Sequence, residues 1–196
     1  MPSIVDISRA NLLRFLSPEG RSFMFDQRAN GYSRGEGVGT LVVKSLSEAL
    51  QANDPIYAII RNTRTNQDGR TPGITMPSQE AQCSLIQATY REAKLDPSQT
   101  QFFEAHGTGT VAGDRVEAEA LASALGTATR TSKHPLNVGS IKTLIGHTEG
   151  CSGVAGIMHA VMALRNKVIL PNCNFETPSD QIKFDEWRIK VGNWDY

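Results

Sequence analysis

Three observations in the sequence predict an α/β fold. Short β-prone runs alternate with segments whose apolar residues recur at helical spacing, the later runs open into glycine-rich loops, and the order strand, loop, helix occurs twice in succession. The first run is T-L-V-V at 40–43 and the second I-Y-A-I-I at 56–60. The polar stretch between them contains Asn53, Asp54 and Pro55, so the two read as neighbouring strands.

From Ser78 onward Ala81, Leu85, Ile86, Thr89, Tyr90 and Ala93 follow helical spacing, with Ser78 as the N-cap, Pro77 before it and a stop near Asp96 and Pro97. Phe102 and Phe103 form a strand that enters the loop E-A-H-G-T-G-T at 104–110. Asp114 and Glu117 read as a capping pair. The helix they open runs through Val116, Ala120, Leu121 and Ala124 and stops at Gly126. Leu136, Asn137 and Val138 give the next strand, leading into K-T-L-I-G-H at 142–147. A third helix from about Ser152 should bury Val154, Ile157, Met158, Val161 and Leu164 and end in Arg165 and Lys167, cations that suit a helix C-terminus.

At 196 residues, 39% hydrophobic and 20% charged, the chain can form one domain, or a large part of one, with a real core. The formal net charge is zero, which favours neither nucleic acid nor an anionic membrane surface. No apolar run reaches the roughly 20 residues of a bilayer span, and the N-terminal stretch lacks a basic-then-apolar signal, so the cytosol is the expected compartment. Cys83, Cys151 and Cys173 are widely spaced and contain no C-x-x-C pair, which argues against a disulfide framework or structural zinc.

The two histidine loops carry the chemistry. Each sets an imidazole among glycines where a strand gives way to a loop, so the ring can face a substrate. The glycines at 107, 109 and 113 suggest a phosphate cradle, but the spacing misses G-x-G-x-x-G and no Lys-Ser/Thr pair follows. They also permit a tight turn exposing His106, which could then donate to an oxygen developing negative charge. Lys142, five residues before His147, would add a cation from the same loop as the second imidazole. Taken alone, either histidine would more often cap or hydrogen-bond than catalyse.

The segments F-E-A-H-G-T-G-T-V-A-G-D, V-G-S-I-K-T-L-I-G-H-T-E-G and N-Q-D-G-R-T-P-G-I-T-M-P resemble the later part of a β-ketoacyl synthase domain, the ketosynthase of type I polyketide synthases, above all the fungal highly reducing type. F-L-S-P-E-G-R-S at 15–22, F-D-Q-R-A-N-G-Y at 25–32, R-G-E-G-V-G at 34–39 and L-P-N-C-N-F-E-T-P at 170–178 extend the likeness over nearly the whole chain. The resemblance implies a partial thiolase-like fold: residues 1–75 as the end of the N-terminal half and 76–196 as the C-terminal half. It also implies acyl transfer by decarboxylative condensation of acyl and malonyl thioesters carried on the phosphopantetheine of an acyl carrier protein. No other cofactor and no metal is implied. An acyl carrier protein or a polyketide synthase is the implied partner, and the family's assembly is a homodimer.

Motif by motif, the resemblance implies that His106 and His147 polarise the extender thioester, with Lys142 supporting the second histidine. The family's nucleophilic cysteine belongs to a D-T-A-C-S-S-type loop before F-L-S-P-E-G-R, and no such loop occurs in this sequence. Leu144 stands where an asparagine is usual and Arg115 where a proline is usual. Cys151, four residues after His147 at a helix start, is the alternative nucleophile, because a helix N-terminus can depress a thiol pKa. Cys83 and Cys173 read as structural, and His134 and His159 as solvated or packed. Arg34 and Glu36 would form an internal ion pair. Three functions follow: a truncated ketosynthase unable to condense alone, a His/Lys catalyst acting in trans on decarboxylation, proton transfer or cyclisation, and a noncatalytic scaffold or vestigial fragment.

Overall fold

A computed structural model describes residues 15–73, 75–125 and 130–192. Its elements in chain order are α1 (Leu46–Gln51), α2 (Gln79–Ala93), a 3₁₀ turn (Pro97–Gln99), β1 (Phe102–Glu104), α3 (Val111–Ala124), β2 (Leu136–Gly139), α4 (Lys142–Ile145), a 3₁₀ turn (Glu149–Cys151), α5 (Ser152–Asn166), α6 (Phe184–Trp187) and β3 (Ile189–Lys190).

The three strands form one parallel sheet in the order β1-β2-β3, with Phe103 beside Val138 and Leu136 beside Ile189. Parallel neighbours need crossovers, and α3 supplies the one between β1 and β2. Side chains alternate across the sheet. Phe103, Ala105, Leu136 and Val138 join the core with Leu121, Ala122 and Leu125 from α3 and its C-terminal end, and Cys83, Ile86 and Tyr90 of α2 pack onto it. Phe102 and Glu104 face α5, where both meet His159.

Helix α2 starts as its sequence predicts, since the Ser78 hydroxyl accepts the Ala81 N–H at 3.1 Å. It ends at Ala93, before Asp96: Lys94 takes φ 55° and the Leu95 N–H returns to the Tyr90 carbonyl, closing the last turn. Asp96 instead caps the following 3₁₀ turn through the Ser98 N–H. The predicted stop at Gly126 lies outside the described residues.

Two expectations fail for one reason. Residues 40–43 and 56–60 belong to no helix and no ladder among the described residues, and Val42 is 97% exposed. Helix α5 forms over the expected span, yet Ile157, Met158 and Leu164 are exposed, and His159 is its buried residue. Gly39 lies against Val154 and Met158, while the Arg165 guanidinium sits 4.8 Å from the centre of the Tyr57 ring. The predicted strands therefore run beside α5, and the apolar pattern of both is real but uncovered. A strand needs a ladder partner and an apolar stripe a cover, and the described residues supply neither.

Candidate active site

Strand β1 delivers Glu104, Ala105 and His106 into a turn with φ of 47° at Gly107 and 82° at Gly109. A Cβ at Gly109 would stand 2.6 Å from the Phe23 backbone nitrogen, so both the left-handed backbone and the close approach demand glycine. Asp114 and Glu117 hold this turn and do not cap a helix. Helix α3 already begins at Val111 with Thr110 as N-cap, and side chains of its first turns lean back over the preceding loop. Glu117 accepts the N–H groups of His106 at 2.7 Å and Gly107 at 2.9 Å. Asp114 accepts those of Gly109 at 3.0 Å and Phe25 at 2.7 Å. Burial raises the Asp114 pKa to about 7 against the pull of these N–H groups, and burial likewise raises that of Glu117.

The second loop leaves β2 at Ser140 and is fastened to the first. The Ser140 hydroxyl donates to the His106 carbonyl at 3.3 Å, its N–H donates to Asn172 Oδ1 at 3.1 Å, and the Ile141 N–H donates to Glu104 Oε1 at 2.8 Å. Helix α4 is one turn long and ends at Gly146, followed by His147. There the His147 N–H donates to the Ser33 carbonyl at 2.8 Å, and the Gly35 N–H donates to the His147 carbonyl at 3.0 Å. The 33–35 segment thus clamps the second histidine through a short parallel bridge.

His106, His147 and Lys142 come together as the sequence anticipates. The two imidazoles lie 5.5 Å apart, edge to face at 86°, and the Tyr32 ring is 5.1 Å from His147. The Glu149 N–H donates to His147 Nδ1 at 3.0 Å, so the proton of neutral His147 is on Nε2. Glu149 reaches this geometry with φ 52° and is gripped by the Arg34 guanidinium. Arg34 therefore pairs with Glu149 and not, as expected, with Glu36.

Withdrawal from water favours uncharged imidazoles. It is the largest influence on His106, whose pKa falls to about 4 with added repulsion from Lys142 and His147. His147 is lowered too, first by withdrawal from water, which Glu149 opposes and the Lys142 and Arg34 charges reinforce. Lys142 is only 5% exposed, and burial lowers its pKa while Glu104 and Glu117 favour its charged form. The centre therefore combines two neutral N–H donors with a nearby buried lysine.

Cys151 is the N-cap of α5, as anticipated, but its Sγ lies against Gly39. Cys83 packs on the core, where burial raises its thiol pKa, and Cys173 is half-buried in the loop whose Asn172 and Asn174 brace Ser140 and Thr143. Leu144 is exposed on α4, and Arg115 is exposed at the mouth of a small cavity lined by Asp26 and Asp180. His134 is exposed; His159 is buried. Among the described residues no three His, Cys, Asp or Glu side chains gather as metal ligands, and no helix is long and apolar enough to cross a membrane.

Sequence reasoning missed Glu104, Ser140, Asn172 and His159 as braces of the site. Their one sequence signal is polarity inside otherwise apolar or glycine-rich stretches. Asp26 was also overlooked: it pairs with Arg28 at 2.8 Å and accepts the N–H groups of Glu176 and Thr177, pinning the 25–28 turn to the 176–179 segment.

A parallel sheet packed against helices, with two histidines raised on glycine turns beside a buried lysine, is an α/β arrangement that family comparison names. Residues 57–176 match the C-terminal domain of β-ketoacyl synthases and residues 4–49 the N-terminal domain, so the chain belongs to the β-ketoacyl synthase family.

Its relatives include the highly reducing polyketide synthase sorA of Penicillium rubens, 54% identical over 90% of this chain, and tstA of Talaromyces stipitatus, 50% identical over 94%. The chain spans 7% of the length of each. Among solved structures, the ketosynthase from module 6 of the Bacillus subtilis bacillaene synthase superposes with a TM-score of 0.93 at 36% identity, covering 97% of this chain and 34% of that one. The fold is thus part of the thiolase-like ketosynthase architecture.

Proposed function

We propose that this chain supplies the enolate-forming part of a polyketide β-ketoacyl synthase. Its substrate would be a malonyl-type thioester on the phosphopantetheine arm of an acyl carrier protein. In the step assigned to His106 and His147, their N–H groups hold the thioester carbonyl oxygen while the bond to the carboxylate breaks. Carbon dioxide leaves and the electron pair passes into the enolate, whose negative oxygen the two donors stabilise. A neutral imidazole suits this role because it donates without giving up its proton. Lys142 adds positive potential behind them. The enolate then either takes a proton, giving an acetyl thioester, or attacks the carbonyl of an acyl thioester, forming a carbon–carbon bond as the carbon–sulfur bond breaks and the thiolate leaves.

The observation that carries this reading is the Glu149 N–H on His147 Nδ1, which presents Nε2–H outward beside His106. Carbon–carbon bond formation on an enzyme-bound acyl group needs a thiolate, and Cys151, turned toward Gly39, is poorly placed to serve. The uncovered apolar faces of α5 and residues 38–60 support a second point: the chain works joined to more of a synthase, as partner or as one polypeptide.

The test is mass spectrometry of malonyl-loaded carrier protein incubated with the chain. Loss of carbon dioxide that vanishes in His106→Ala and persists in Cys151→Ala is the expected result. An unchanged malonyl adduct under conditions where a complete ketosynthase turns over would sink the catalytic reading and favour a scaffold.

A further inference from the structure

His159 is a buried polar side chain to which the proposed chemistry gives no task. It sits midway along α5, a helix otherwise lined with small and apolar residues, and its ring is edge-on to Phe102. One ring nitrogen, Nδ1, is 2.7 Å from Glu104 Oε2, while the other, Nε2, is buried without a hydrogen-bond partner. A buried imidazole that leaves one nitrogen unsatisfied costs stability unless the bond at the other achieves something.

What that bond holds is Glu104. This residue stands two positions before His106 on β1, and its other carboxylate oxygen accepts the Ile141 N–H at 2.8 Å, immediately before Lys142. Gly156, one turn before His159 on α5, leaves room for it: a Cβ there would approach Glu104 Cγ to 3.3 Å. Glu104 thus spans three elements, leading into the first histidine loop, anchoring the start of the second and resting on α5. With both oxygens engaged, its carboxylate is kept from closing on the Lys142 ammonium, whose charge it would otherwise neutralise. The remaining charged groups around the centre are committed elsewhere, Glu117 to the N–H groups of His106 and Gly107, and Glu149 to Arg34.

From this juxtaposition we infer that His159 is a positioning residue for the two-histidine centre: its Nδ1–H holds Glu104 on the Ile141 N–H and off Lys142, leaving the lysine charge free to act on His106 and His147. This rests on reading those histidines as the oxyanion donors, but its test does not depend on turnover.

The experiment is long-range ¹H–¹⁵N spectroscopy of the histidine side chains of the full chain, titrated with pH. In the unaltered protein the His159 proton is expected on Nδ1, and a bare Nδ1 would overturn the proposal without any variant. His159→Leu, which keeps the bulk but removes the donor, is expected to raise the titration midpoints of both His106 and His147 by about one unit, as Glu104 pairs with Lys142. His159→Asn, whose side-chain amide N–H takes the place of the imidazole Nδ1–H, should restore them. A folded His159→Leu protein with unshifted midpoints would refute the assignment. Should His159→Leu fail to fold, His159→Met replaces it, since it fills the site without a donor, and equal midpoints in the Met and Asn variants would refute the assignment as well. Malonyl decarboxylation, read separately, can fail while these shifts appear, so the two readings fall independently.

Discussion

Charge state at single residues decides what the paired histidines can do. With the His106 pKa near 4, its ring is neutral across the physiological range and donates a hydrogen bond without acting as a proton source. Its C–H resonances should therefore stay flat from pH 8 to about pH 5 in an NMR titration, where an unperturbed imidazole would titrate near 6.5. The sign for stability follows. The folded pKa lies below the unfolded one, so this group takes stability from the fold as pH drops from 6.5 towards 4. Asp26 is depressed as well. Burial acts to raise it, but Arg28 and three backbone N–H groups bring it to about 2 from 3.8. Its contribution is full above 3.8 and is lost as pH falls through 2. Asp26→Asn should cost about 1–3 kcal/mol at neutral pH, read as a lowered denaturation midpoint, because the Arg28 pairing weakens and buried N–H groups lose a charged acceptor.

Among the elements, the turns are more constrained than the helices and strands they join. Replacing Ser78 with Ala removes one hydrogen bond from the start of α2 and should cost about 1 kcal/mol in chemical denaturation. Gly109→Ala should cost more, about 2 kcal/mol or above, because φ is 82° and the new methyl would meet the Phe23 backbone, which cannot rotate away as a side chain can. The same substitution displaces His106, so decarboxylation should fall further than stability does. Helix α3 has a double use here. Its inner face, with Ala118, Leu121 and Ala122, builds the core, while Asp114 and Glu117 hold the histidine turn. A capping pair and a loop-anchoring pair look identical in sequence. What separates them is where the helix begins, and that depends on the turn before it.

Across the whole molecule the distribution of apolar surface is uneven. The core behind β1, β2 and α3 is buried, whereas Val42, Ile60 and Leu164 are 97%, 58% and 67% exposed on α5 and the 38–60 stretch. Isolated in solution, a surface of this kind should bind a hydrophobic dye and draw molecules together. Sedimentation or size exclusion should give a mass above 21.4 kDa that rises with concentration, and Val42→Lys combined with Leu164→Lys should lower it. A mass that stays monomeric at every concentration would count against the apolar face as a docking surface.

The sequence by itself determined the three long helices α2, α3 and α5, where β1 and β2 lie, and which family the motifs belong to, while the short helices α1, α4 and α6 left no sequence signal that was read. Those features are local: periodicity, a serine before a helix, glycines that only a tight turn requires, and long motifs in fixed order. Tertiary structure decided the rest. Whether residues 40–43 and 56–60 form strands depends on a ladder partner elsewhere, and whether the stripe of α5 is buried depends on a cover; neither is encoded within the segment. The roles of Asp114, Glu117, Arg34 and His159 depend on partners 5 to 115 positions away in the chain, such as Gly109 for Asp114 and Glu149 for Arg34. A side chain's identity fixes what it can donate or accept, but only the fold brings its partner within hydrogen-bond distance.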